Sequence, residues 1–241
     1  MTVVRVELQK MRRLKVGWLL ALMVLIVVGW TQAASAASAQ EADSATILLG
    51  LGMIASLVGP LFMAIIASRV VDMEHTAAGW TMYGTIGTGF SRLLLAKMAA
   101  LAPLVAVAVV VEVAFVALLV PGGIGAPGYW LMYLAGLILV NGVFLAGHVV
   151  LAAVTDNQLI SIGAGALGSF IALFCLFLPV WMARLVPWGY YAMIIPATIS
   201  EGDEAGIHYV MPDWLTILGA AALSLVVLTV VLWRLNSTKE N

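Results

Sequence analysis

Apolar residues gather into six blocks along the chain, at 16–34, 45–68, 96–120, 129–153, 159–182 and 214–233. A helix needs about 20 mostly apolar residues to cross roughly 30 Å of hydrocarbon, and each block is long enough. None shows strict alternation or the about ten-residue period of barrel strands, so none reads as strand. The breaks are polar or rich in glycine and proline: QAASAASAQEADS, a mixed-charge piece over 68–97, PGGIGAPG, TDNQ, and a long piece over 184–213. The pattern predicts an all-α integral membrane protein with six transmembrane helices. It shows no internal repeat and no low-complexity region.

Length alone, 241 residues, would also allow one or two soluble domains. Composition removes that option, because 63% of residues are hydrophobic and only 10% charged. A net charge of −1 offers no basic face for nucleic acid. The single cysteine, Cys175, lies in an apolar block, which excludes an internal disulfide and argues against a metal cluster.

Basic residues favour the cytoplasmic side of a membrane. With the N-terminus inside, Arg5, Lys10, Arg12, Arg13, Lys15, Arg69, Arg92, Lys97, Arg234 and Lys239 are all cytoplasmic, and only Arg184 falls outside. Glu41, Asp43, Glu201, Asp203, Glu204 and Asp213 then lie in outer segments. The expected location is a bacterial plasma membrane, with both termini in the cytoplasm. The basic start, the apolar run and AASAASAQ also fit a cleavable signal peptide, so cleavage stays open. Before the first block, Val4, Leu8, Met11 and Leu14 recur at helical spacing, with Glu7, Arg12 and Lys15 elsewhere on the wheel. That pattern fits an amphipathic helix in the inner interface, or a set of topogenic charges without defined shape.

The chain has no Gly-x-x-x-x-Gly-Lys-Ser/Thr phosphate loop, no Gly-x-Ser-x-Gly elbow and no His-Glu-x-x-His pair. Ser169 and His148 are the obvious pair for an intramembrane protease, but the serine reads better as a small packing residue. No catalytic or metal-binding residue is assigned. Glu112 is the one acid inside a block; it is either a carboxyl facing a neighbouring helix or a proton or substrate contact. Asn141 and His148 share a helix face and read as packing groups. SIGAGALGSF supplies small residues for close helix contact. Beyond the fifth block, which Pro187 and Trp188 end, Trp188, Tyr190 and Tyr191 suit a headgroup belt. AMIIPA is too short to cross and fits a re-entrant or surface helix, or a plain interfacial loop. Glu112, Asn141, Trp188, Tyr190 and Tyr191 are the candidates for lining a substrate path.

The piece over 68–97 is longer than a link between spans needs. Within it DMEHTAAGWTMY is compatible with a helix, with Asp72 placed to cap it and Glu74 near its start. Trp80 and Met82 would then be apolar groups exposed at the cytoplasmic face. Physics leaves two accounts open: a helix lying among inner-leaflet headgroups, or a docking element for a soluble partner.

The stretch RVVDMEHTAAGWTMYGTIGTGFSRLLLAKMAA, with Glu74, Thr76, Trp80, Ser91, Arg92 and Lys97, resembles the six-span permease subunits of ABC-2-type exporters, especially their lantibiotic-immunity-like group. VPWGYY is similar to that family's Pro-Trp exit. VELQKMRRLK looks like its E-x-x-K-x-x-R start, with Glu7, Lys10 and Arg13. Gly89-Phe90 stands where the family often has a proline, a departure at the local turn. The resemblance implies one transmembrane domain over 1–241, paired with a second permease chain, the same or different, within lipid. It implies a separate ATP-binding subunit that carries ATP and Mg, this chain binding no cofactor itself. Asp72, Met73, Glu74, His75, Thr76, Trp80 and Met82 would then make the coupling contact with that subunit. An antimicrobial peptide or other amphipathic compound would be the exported cargo. The competing classes are a secondary transporter or channel using Glu112, and a non-transporting membrane scaffold.

Overall fold

The computed structural model describes residues 3–37, 43–77, 79–85, 89–200 and 206–239. Among them, six helices are long and apolar enough to cross a membrane. In chain order the helices are α1 (Val3–Arg13), α2 (Val16–Ala37), α3 (Ser44–Thr76), α4 (Gly79–Thr85), α5 (Phe90–Leu118), α6 (Pro127–Val154), α7 (Gln158–Phe174), α8 (Val180–Ala183), α9 (Tyr190–Met193) and α10 (Trp214–Lys239). The spans are α2, α3, α5, α6, α7 and α10, with α7 extended by a 3₁₀ turn at Cys175–Phe177.

α3 is the central column. Two thirds of its apolar stretch, 67%, is buried, against 11% for α10 at the rim. Close approach comes from small residues, because lipid gives apolar helices no hydrophobic reason to associate. Gly165 of α7 lies against Ala64 and the Pro60 carbonyl of α3, where a Cβ would collide. The small-residue run of α7 therefore packs within the chain, on α3.

One end of the bundle gathers α1, the end of α3, α4, the starts of α5 and α7, and the end of α10. Here the Arg69 Nε donates to the Leu14 carbonyl at 3.1 Å, and Ser91 Oγ to the Leu232 carbonyl at 2.7 Å. Lys15, at φ 57°, makes the bend between α1 and α2. This is the basic end. At the other end, Asp43 caps α3 through the Thr46 N–H at 2.8 Å. Gly122 and Gly123 take positive φ in the α5–α6 turn, which a Cβ would strain.

The structure corrects several sequence boundaries. α3 does not stop at 68 but continues to Thr76, since no glycine or proline intervenes. Asp72 therefore lies inside α3, accepting from Thr76 Oγ1 through its carbonyl at 3.0 Å, rather than capping a new helix. α5 begins at Phe90, ahead of the expected 96. The fifth span ends by Phe177 rather than 182, ahead of Pro179, which disfavours helix at Leu178. On α1, Met11 is buried and Val4 and Leu14 pack against the core, while Leu8 is 41% exposed and Glu7 faces inward with the apolar side chains.

The segment after α9 also holds strands that its composition did not reveal. β1 (Ala197–Ser200) and β2 (Gly206–Tyr209) form an antiparallel hairpin, with Thr198 opposite His208. Tyr209 stacks on Tyr129, ring centroids 4.7 Å apart, and donates to Ser44 Oγ at 2.7 Å, which fastens the hairpin across α3 and α6. Four-residue strands held by one stack and one hydrogen bond leave little periodicity to detect. Of the acids expected in outer segments, Glu41, Glu201, Asp203 and Glu204 lie outside the described residues. Asp213 caps α10 through Thr216 and pairs with Arg184 at 2.6 Å.

Candidate functional site

Four charged side chains from three helices meet at the basic end. Glu7 and Lys10 come from one face of α1, Glu74 from the end of α3 and Lys97 from the start of α5. Lys97 Nζ contacts Glu7 Oε2 and Glu74 Oε1, both at 2.8 Å. Lys10 Nζ contacts Glu7 Oε1 at 2.7 Å and Glu74 Oε1 at 2.6 Å. Lys97 also donates to the Val70 carbonyl at 3.3 Å. Glu7 and Lys97 are completely buried, and Lys10 closes the cluster toward solvent. Two ammonium groups and two carboxylates sum to zero charge, and each carboxylate receives two charge-assisted hydrogen bonds. Those are the conditions under which buried ions are tolerated. A Cβ on Gly79 would collide with the Glu74 carboxylate, so glycine lets the chain after α3 cross the cluster.

α4 is seated beside this cluster through His75. The Trp80 Nε1–H donates to His75 Nδ1 at 3.2 Å, and His75 Nε2 lies 3.0 Å from the Ala152 carbonyl at the end of α6. With Trp80 donating, Nδ1 is the acceptor and the ring proton sits on Nε2, facing Ala152. Asp156 Oδ1 also approaches Nδ1, at 3.1 Å, from a side chain that is 97% exposed. Trp80 is held between His75 and Phe90, with centroids at 5.5 and 4.7 Å, so it is half-buried rather than free. Met82 is the apolar side chain that projects, at 57% exposure. α4 is thus braced on α3 and α5 through Trp80, with Met82 outward among the described side chains.

A second polar cluster lies deep among the spans. Tyr191 OH donates to Asn141 Oδ1 at 2.6 Å, and both are buried. Tyr191 lies over Gly59, where a Cβ would stand 2.8 Å from its ring. Glu112 faces the same crevice, which is lined from α2, α3, α5 and α6 and is too narrow for a water molecule. Glu112 Oε1 and Tyr133 OH have no hydrogen-bond partner among the described residues.

The expected headgroup belt is therefore divided. Tyr191 turns into the bundle, Trp188 lies against Gly168 and Phe144, and Tyr190 reaches the Arg184 carbonyl at 3.4 Å. Ile194 and Ile195, just after α9, wedge against Gly136 and Gly52. His148 pairs with Ser161 at 3.2 Å, while the Ser169 hydroxyl has no partner among the described residues. No group of His, Cys, Asp or Glu among the described residues could hold a metal ion.

A family described as ABC-2 family transporter protein matches residues 3–174. The chain belongs to this family. A comparison with curated proteins finds no match. An ABC-2 permease is the membrane subunit of a transporter whose ATP-binding subunit is a separate partner, and it carries no ATPase motifs of its own. The matched region runs from α1 to the end of α7. It contains the four-charge cluster, α4, Glu112, Tyr133 and Asn141; Tyr191 and the hairpin lie beyond it. Glu7 and Lys10 from one of the resembling stretches, and Glu74 and Lys97 from the other, are the residues that meet in the cluster. Sequence reasoning missed that meeting. Its only signal was a lysine at the edge of an apolar run with two acids elsewhere at helix ends.

Proposed function

We propose that this chain is the permease subunit of an ATP-driven exporter in a bacterial plasma membrane, with the basic end and both termini in the cytoplasm. The whole chain acts as one transmembrane domain beside a second permease chain. The observation that carries the reading is the buried cluster of Glu7, Lys10, Glu74 and Lys97 under α4. It ties α1, α3 and α5 into one block, so a push on α4 reaches two spans at once. An ATP-binding subunit, with its ATP and Mg, docks on α4 and on the Asp72–Thr76 turns of α3. Met82 makes the outward contact, and Trp80 and His75 hold the seat. α1 lies in the inner interface with Leu8 toward lipid, and α9 with the two isoleucines re-enters the outer leaflet.

The cargo is an amphipathic compound, an antimicrobial peptide among them, moved outward past Glu112, Asn141, Trp188, Tyr190 and Tyr191. Co-purification tests the reading. The tagged chain, extracted from native membranes, should bring down a protein carrying a Gly-x-x-x-x-Gly-Lys-Ser/Thr loop and show ATP hydrolysis. Repeated recovery of the chain without such a protein contradicts it.

A further inference from the structure

We infer that Glu112, Tyr133, Asn141 and Tyr191 form an occluded site for a primary ammonium group, the cationic head of an amphiphilic cargo. The role in transport rests on the exporter reading; the binding itself does not. Glu112 is 2% exposed, and its Oε1 has no partner among the described residues. It takes part in no ion pair among the described residues. A carboxyl left in this condition inside a bundle is costly and marks a polar pathway by default. Lys97, on the same helix, is about 22 Å away at 1.5 Å per residue and is already committed to two carboxylates.

The surrounding groups select the ligand. Tyr133 OH is a second buried polar atom without a partner among the described residues, and Tyr191 OH is bonded to Asn141, which lines the crevice together with Glu112. Asn141 presents Oδ1 to the crevice, where it already accepts from Tyr191. The site therefore offers a carboxyl, an amide oxygen and hydroxyl oxygens. An ammonium group with three N–H donors matches these acceptors. An anionic head would meet Glu112 with no cation to offset it. The crevice admits no water in this conformation, so the site opens only when the spans around Gly59 separate.

The full-length permease in lipid nanodiscs, titrated with radiolabelled dodecylammonium, tests the assignment. Saturable binding is expected, at least tenfold weaker in Glu112→Gln, with no competition from dodecyl sulfate. Equal affinity in the variant, or equal competition by dodecyl sulfate, overturns it. Should Glu112→Gln fail to fold, the wild type still decides. Dicyclohexylcarbodiimide should modify Glu112, read by mass spectrometry, and dodecylammonium should protect it. Modification that is unchanged by the amine, or absent throughout, overturns the site. Binding without a co-purifying ATPase would spare the site and sink the exporter reading. A co-purifying ATPase with no Glu112-dependent binding would do the reverse.

Discussion

Replacing Lys97 with methionine keeps the volume and removes one of two buried cations. The cluster then holds Glu7, Glu74 and Lys10, a net charge of −1 where the wild type has zero. Removing one partner of a buried ion pair costs about 3–5 kcal/mol. Lys10 still touches both carboxylates, at 2.7 and 2.6 Å, so the lower end applies, about 3 kcal/mol. The cheapest relief is for α1 to leave, because that returns Glu7 to water. At about 1.4 kcal/mol per tenfold, the undocked population of α1 should rise roughly 100-fold. Limited trypsin digestion reads this, since Arg5, Arg12 and Arg13 lie on α1 and cleavage tracks the open population when reclosing is fast. Glu7→Gln alone should also speed cleavage. Glu7→Gln combined with Lys97→Met leaves the neutral Glu74–Lys10 pair and should be slower to cleave than Lys97→Met alone. The coupling should fall within about 0.5–3 kcal/mol. Cleavage of Lys97→Met within twofold of wild type, or single effects that simply add, would refute the reasoning.

Gly79→Ala should separate α4 from the end of α3, because its Cβ collides with the Glu74 carboxylate. ATP hydrolysis by the complex should fall while expression of the chain persists. Tyr191→Phe removes the 2.6 Å bond to Asn141 and leaves its amide without that donor, costing about 1–3 kcal/mol in a thermal melt. Hydrogen bonds from the Thr216 side chain and backbone, aided by Arg184, hold the Asp213 carboxyl below its ordinary 3.8 against a smaller opposing effect of burial. A lowered value means the cap contributes fully above pH 3.8 and is lost as pH falls through the folded value. Hydrogen-exchange protection at the start of α10, taken relative to the intrinsic rate at each pH, should therefore hold steady from neutral pH to about 4 and fall below it. Asp213→Asn should abolish that acid step.

Six spans were legible because each is a continuous apolar run, and hydrocarbon forces helix on any such run. The ends were less legible. Nothing between Ser68 and Thr76 says where lipid stops, and the helix continues as long as Glu74 and Arg69 find partners. The charged cluster was invisible for a different reason. Its members are separated by up to 90 positions, and a glutamate on a basic amphipathic segment normally faces water. Glu112 was visible as the one acid within a block, but Asn141, which shares its crevice, and the Tyr191 bonded to it belong to α6 and to a short helix that only the fold brings inward. The β1–β2 hairpin escaped because Tyr129 and Ser44, which hold its Tyr209, lie outside its own strands.

The central claim is that α4 is the surface through which an ATP-binding partner drives the spans. A photoreactive amino acid at Met82, the projecting side chain of α4, tests it in native membranes. The account expects a crosslink to a protein bearing a phosphate loop, changed in yield when ATP is bound. Adducts with lipid alone, alongside ATP-driven export undisturbed by Met82→Asp, would contradict it.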